Sequence, residues 1–147
     1  MSGNEVVISR LKELSDDDID QLGSLVSQLS NSAKPISKES LIPLFNDDRC
    51  FVFVARRNPG SAILGMLTLV VFNIPTGIRA WIEDVVVDKD TRGMGIGKRL
   101  TMRAIEQAKN LGAVTVDLTS RPSRTAANSM YQALGFKLRE TNVYRYG

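Results

Sequence analysis

The sequence predicts one mixed α/β domain, built on a mostly antiparallel sheet of about six or seven strands flanked by about four helices. Three observations predict it. A chain of 147 residues, 43% of them hydrophobic, is long enough for one well-packed core and short for two domains of ordinary size. β-rich runs bounded by turn residues alternate with stretches of helical period. A Val-rich strand then leads through glycines into a helix and another apolar strand, which is the pattern of a crossover between parallel strands.

The elements follow in order. Residues 6–11 are β-rich and read as a first strand. Ser15 then offers an N-cap, and Asp16, Asp17 and Asp18 place negative charge at the positive end of a helix dipole. Ile19, Leu22, Val26 and Leu29 continue it at helical spacing. That acidic run is read as a helix start and not as a metal cluster. Residues 31–35 break the helix, and residues 37–46 form a shorter one disturbed by Pro43.

Residues 51–56 and 62–72, separated by Asn58-Pro59-Gly60-Ser61, predict a β-hairpin. After the loop at 73–77, residues 78–87 form the next strand. Beyond the glycines, Ile96, Leu100, Ala104, Ala108 and Leu111 mark one helical face, and Gly112 supplies the stop. Residues 114–118 read as a buried strand. Ser123 is expected to cap a last helix ended by Gly135, with residues 136–138 and 141–146 closing the chain as strands.

The strand-to-helix junction carries the strongest chemical signal. It reads Val85-Val86-Val87-Asp88-Lys89-Asp90-Thr91-Arg92-Gly93-Met94-Gly95-Ile96-Gly97-Lys98-Arg99. Glycines without a Cβ allow backbone N–H groups at the helix start to approach a ligand closely. Those groups have no partner inside the helix and sit at the dipole's positive end, so the junction favours phosphate or pyrophosphate, with Arg92, Lys98 and Arg99 adding charge. The P-loop pattern fails, because three residues separate Gly93 from Gly97 and Arg99 follows Lys98. The dinucleotide fingerprint fails as well, since it needs a glycine where Lys98 stands.

Net charge is +3, from 19 basic and 16 acidic side chains, which does not suggest nucleic-acid binding. No stretch is apolar enough to span a bilayer and residues 1–10 show no signal-peptide pattern, so a cytoplasmic protein without membrane contact is expected. There is no histidine and a single cysteine, Cys50, which excludes an internal disulfide, a conventional zinc site and a Ser-His-Asp triad. No metal is expected. Acid-base chemistry falls to carboxylates, tyrosine, lysine or water.

Glu83 and Asp84 lie together in a strand that is otherwise apolar, where a carboxylate is costly unless paired or used. Simple alternation puts Glu83, Val85 and Val87 on one face and Ile82, Asp84 and Val86 on the other, unless a bulge resets the count. A carboxylate of raised pKa can act as a general base, directly or through water, and Glu83 is the candidate.

The run Arg92-x-x-Gly95-x-Gly97 after a Val-rich strand resembles the acyl-CoA loop of the GCN5-related N-acetyltransferase (GNAT) family. The stretch Asn128-Ser129-Met130-Tyr131-Gln132-Ala133-Leu134-Gly135-Phe136 resembles that family's final helix. The resemblance covers residues 81–136 and implies a GNAT-type sheet split by acetyl-CoA. It implies that the backbone of Arg92, Gly93, Met94, Gly95, Ile96, Gly97 and Lys98 holds the pyrophosphate. Val85, Val86 and Val87 would pair with the pantetheine arm, and a backbone N–H near Val85 could stabilise the oxyanion.

By the same resemblance Asn128 bonds the pantetheine region and Tyr131 lies beside the thioester sulfur, where its hydroxyl could protonate the departing thiolate. Arg124, Asn128 and Tyr131 share one helical face, with Ala126, Ala127, Met130 and Leu134 opposite for packing. Residues 82–88 are similar to glucosamine-6-phosphate N-acetyltransferases, whereas residues 119–124 depart from them. Arg121 and Arg124 could select an anionic acceptor or contact the CoA phosphates.

The implied activity is acetyl transfer from acetyl-CoA to a primary amine, most readily of a small molecule, through a ternary complex. The alternatives are acetylation of protein lysines or N-termini and a non-catalytic acyl-CoA-binding regulatory module. Tyr144 and Tyr146 are expected as packing or pocket wall, and residues 141–146 could pair across a homodimer.

Overall fold

Five strands follow one another in a single sheet, β1 (Val7–Arg10), β2 (Cys50–Arg56), β3 (Gly65–Ile74), β4 (Gly77–Val87) and β5 (Thr115–Asp117). They are seen in a computed structural model that describes residues 5–30, 32 and 34–147. The first three junctions are antiparallel and β4–β5 is parallel, as the strand-helix-strand pattern requires. The turn before β3 closes through Ser61 N–H to the Asn58 carbonyl at 3.0 Å, with Gly60 at φ 80°.

Four α-helices accompany the sheet among the described residues, α1 (Asp16–Leu29), α2 (Lys38–Phe45), α3 (Ile96–Asn110) and α4 (Thr125–Ala133), and the first three pack on it. The acidic start of α1 is a capping box. Asp18 N–H donates to Ser15 Oγ at 3.0 Å and Ser15 N–H to Asp18 Oδ2 at 3.2 Å. The same carboxylate pairs with Arg56 at the end of β2. Burial would raise its pKa, but the Ser15 bonds and the Arg56 guanidinium together hold it below the usual carboxylate range.

The sheet separates two apolar clusters. On one face Phe51, Phe53, Leu67, Leu69, Ala80 and Ile82 meet Ile96, Leu100, Ala104 and Ala108 of α3. On the other, Val52, Val54, Met66 and Val86 meet Leu22 and Leu25 of α1 and Leu41 of α2. Leu111 lies outside the α3 stripe, in solvent, and Gly112 follows at φ 84°.

The sequence-based reading departs from the structure at the chain's two ends and at one cap. The final helix begins at Thr125 after Arg124, which offers no side-chain cap, so Ser123 does not have that role. Its buried residue is Tyr131; Ala126, expected to pack, is exposed. Residues 136–138 and 141–146 form no strand, which leaves five strands where the sequence predicts about six or seven. Tyr144 and Tyr146 stand in solvent and line no pocket wall. The helix break expected at 31–35 includes Asn31 and Ala33, which with residues 1–4 lie outside the described residues; α1 ends at Leu29.

Candidate active site

The pairing of β3 with β4 slips between Met66 and Thr68: Met66 lies opposite Val86 and Thr68 opposite Glu83. Two residues of β4, Asp84 and Val85, therefore face one of β3, Leu67, which is a β-bulge. The bulge resets the alternation. Val85 and Val87 now join Ile82 on the α3 face, while Val86 turns to the α1 and α2 side. Glu83 stays level with Trp81, whose indole N–H donates to its carboxylate at 2.6 Å.

Asp84 absorbs the distortion. At φ 52° it is the one non-glycine residue with positive φ among the described residues, a conformation Asp tolerates better than most. Among the described residues neither Glu83 nor Asp84 belongs to an ion pair. Although the Asp84 side chain reaches solvent, loss of water around its carboxyl raises its pKa, and the Glu83 charge raises it further. Because the folded value is the higher one, this group favours folding at low pH and opposes it once pH has risen through that value. Asp84→Asn is thus expected to raise the melting temperature at neutral pH by roughly 1–3 °C, a gain that shrinks in acid; melts across pH measure it.

β5 contacts β4 only at Arg79, Ala80 and Trp81. From Ile82 to Val87 the outer edge of β4 has no strand beside it among the described residues, so its backbone is open where the bulge and both carboxylates lie. The glycine junction stands at the end of this opening. Gly93 and Gly95 have φ 86° and 76°, and a Cβ on either would meet nothing within 4 Å. Their lack of a side chain serves the backbone turn and leaves room above it.

Gly95 is the N-cap of α3 and accepts from Arg99 N–H at 3.1 Å. The N–H groups of Ile96, Gly97 and Lys98 are left without intrahelical partners and point out of the helix start. Arg92 and Lys98 are exposed beside them. Arg99, expected to add charge there, instead donates to the Val6 carbonyl and ties α3 to the start of the chain.

α4 borders the same opening. A Cβ on Gly97 would lie 3.6 Å from both Met130 Cε and Val87 Cγ2, which places the middle of α4 against the end of β4. Beside Met130, Tyr131 is buried and packs edge-on against Phe136 at 5.7 Å. Burial pushes its phenol up, and the charge of Arg124 partly offsets this. Asn128 Nδ2 donates to the Arg121 carbonyl at 3.0 Å, so in this structure its amide holds the β5–α4 loop. Cys50, half-buried and with its thiol raised by burial, is placed as an inert small hydrophobe.

Two contacts at the site were invisible in the sequence. Gln28 of α1 donates to Asp88 Oδ1 at 2.9 Å and accepts from Lys89 N–H at 3.0 Å, clamping α1 to the approach of the glycine junction. Gly65 of β3 lies under the first turn of α3. A Cβ there would come 2.9 Å from Ile96 Cγ2 and 3.1 Å from Leu100 Cδ1.

Comparison with known proteins identifies the family. The acetyltransferase (GNAT) family profile matches residues 17–136. A glucosamine 6-phosphate N-acetyltransferase of Trypanosoma brucei brucei is 30% identical over 145 residues, covering 95% of this chain and 96% of that protein. An N-alpha-acetyltransferase 30 of Schizosaccharomyces pombe is 37% identical over 71 residues, 48% of this chain and 47% of its own length, so the chain spans about half of that relative. Among solved structures, a putative acetyltransferase from Agrobacterium tumefaciens superposes with a TM-score of 0.83 at 22% identity, over 96% of this chain and 99% of the other. By this match and this relative, the chain belongs to the acetyltransferase (GNAT) family.

Proposed function

We propose that this chain transfers an acetyl group from acetyl-CoA to the primary amine of a small molecule by direct attack in a ternary complex. The observation that carries the reading is the row of unpartnered amides at the start of α3, set beside the unpaired edge of β4. The amides suit the pyrophosphate and the edge suits the amide groups of the pantetheine arm. A small acceptor is supported by the trypanosomal relative, which matches over nearly its whole length.

In this reading the residues divide the chemistry. A carboxylate on β4, Glu83 or its neighbour Asp84, takes the proton from the ammonium. The freed lone pair attacks the thioester carbon, forming the C–N bond, while a backbone N–H near Val85 stabilises the oxyanion. The C–S bond breaks and the Tyr131 hydroxyl gives its proton to the thiolate; the new amide nitrogen sheds its second proton, which restores the phenol, and the carboxylate passes its own proton to water. A phenol is protonated at neutral pH, and burial extends that protonated range upward. Val85, Val86 and Val87 align the thioester, and Asn128 reaches the pantetheine by exchanging its bond to Arg121.

A thermal melt with acetyl-CoA, and with ATP and NAD as controls, tests the cofactor. At about 100 times Kd the ligand should add about 2.7 kcal/mol of stability; no shift with acetyl-CoA removes the reading. Gly95→Ala should cost about 1–2 kcal/mol for a left-handed alanine and abolish most of the acetyl-CoA shift, since the amides lose their aim.

Acceptors are then separated by CoA release over a panel of free amines, including glucosamine 6-phosphate, against peptides with free N-termini or lysines. Turnover confined to peptides would favour the second reading, protein acetylation, which the match to the N-alpha-acetyltransferase 30 supports over half the chain. Binding without turnover of any acceptor would mark a regulatory module.

A further inference from the structure

The glycine junction is anchored at its two ends. On the α3 side the anchors are Ile96 and Leu100, both in the core. On the other side the junction hangs from the turn at residues 88–91, which closes through its own bonds. Asp88 N–H donates to the Leu64 carbonyl at 2.8 Å, and the Asp88 carbonyl accepts from Thr91 N–H at 2.9 Å and from Thr91 Oγ1 at 3.1 Å. Between these anchors Arg92, Gly93, Met94 and Gly95 are exposed, and a Cβ on either glycine would meet nothing within 4 Å. The path of the junction is therefore set by its ends, with little help from contacts of its own.

One side chain from elsewhere in the fold grips the turn. Among the described residues Gln28 is the only side chain of another element that bonds to residues 88–91, and it does so twice. Its Nε2 donates to Asp88 Oδ1 at 2.9 Å and its Oε1 accepts from Lys89 N–H at 3.0 Å. Both halves of the amide are used, one of them on a charged acceptor, the stronger kind of hydrogen bond. A glutamate here would set a second negative charge against Asp88, and an asparagine would be one methylene short.

α1 does not depend on these bonds for its own seat. Leu22 and Leu25 bury in the cluster on that face of the sheet, Asp18 pairs with Arg56, and Gln21 Oε1 accepts from Ile63 N–H. Gln28 lies beyond all of these, half-buried in the last turn of the helix. What its two bonds add is a fixed place for the turn.

We propose that Gln28 is a positioning residue for the cofactor. Acting through Asp88 and Lys89, it fixes the turn from which the glycine junction hangs, and so holds the backbone of Arg92, Gly93, Met94 and Gly95 where, with the first amides of α3, it meets the pyrophosphate. The role rests on the reading of this junction as the pyrophosphate site of acetyl-CoA.

Calorimetric titration of the full chain with acetyl-CoA, alongside thermal melts, tests the role. Gln28→Ala should raise Kd about tenfold, the scale of one lost hydrogen bond to a charged group, while its melting temperature falls no further than that of Gln21→Ala. Gln21→Ala removes a tie of α1 remote from the junction and should bind acetyl-CoA as the wild type does. Gln28→Glu should bind as weakly as Gln28→Ala. Combining Gln28→Glu with Asp88→Asn exchanges donor and acceptor and restores both bonds, so Kd should return to within about twofold of the wild type. Unchanged affinity in Gln28→Ala, an equal loss in Gln21→Ala, or an exchange that fails to restore binding would each overturn the proposal. Should Gln28→Ala not fold, the exchange decides. A wild-type chain that does not bind acetyl-CoA would remove the reading of the junction itself, and the proposal with it.

Discussion

Tyr131→Phe should lower kcat for acetyl transfer by about 100-fold or more, the scale of a lost general acid, and leave acetyl-CoA affinity within a factor of about two. The ring stays: Phe retains the edge-on contact with Phe136 at 5.7 Å, so the melting temperature should barely move. On the proposed mechanism, what is lost is a proton at the departing sulfur. The wild-type enzyme should also show an alkaline fall in kcat, because the phenol is competent only while protonated and its pKa is raised by burial.

That fall should vanish in the variant. The same shift has a stability consequence of definite sign. With the folded value above the unfolded one, the contribution of Tyr131 is complete below the ordinary phenol range and is lost as pH rises through the folded value. Unchanged kcat across pH in Tyr131→Phe would remove the acid role and leave the residue as packing.

The second large effect concerns a residue far from the chemistry in sequence. Gly65→Ala should destabilise the protein by about 1–3 kcal/mol, because the added methyl enters a packed contact that cannot widen. Ile96 and Leu100, its two nearest side-chain neighbours, are 2% and 0% exposed, and the Val86 carbonyl lies 3.3 Å from the new atom. The helix must back away, and its first turn carries the amides of the glycine junction. A loss of acetyl-CoA affinity should therefore accompany the loss of stability, measured by denaturant unfolding and by titration. Loss of stability with full affinity would show that α3 shifts without moving its N-terminal turn.

The glycine junction is legible in the sequence because its signals are local. Gly93 and Gly95 need left-handed backbone, the helical period begins at Ile96, and the cap of α1 lies within four residues of sequence. The strand-helix-strand crossover is legible for the same reason. The open edge of β4 is not. It depends on β5 being only three residues long and ending at Asp117, a length that packing decides.

What the sequence by itself determined is the set of local structures: caps, turns, the α3 stripe, and the adjacency of two carboxylates with no histidine to share their work. Tertiary structure alone decided how those carboxylates are placed. The slip between Met66 and Thr68 resets the faces of β4 and puts Asp84, not a glycine, at positive φ. It also decided that Gln28 grips a residue 60 positions away and that Gly65 must be bare. The same holds for residues 141–146, whose composition favours a strand and which form none here. A strand is completed by a neighbouring edge, and which edge is available is a property of the assembled sheet.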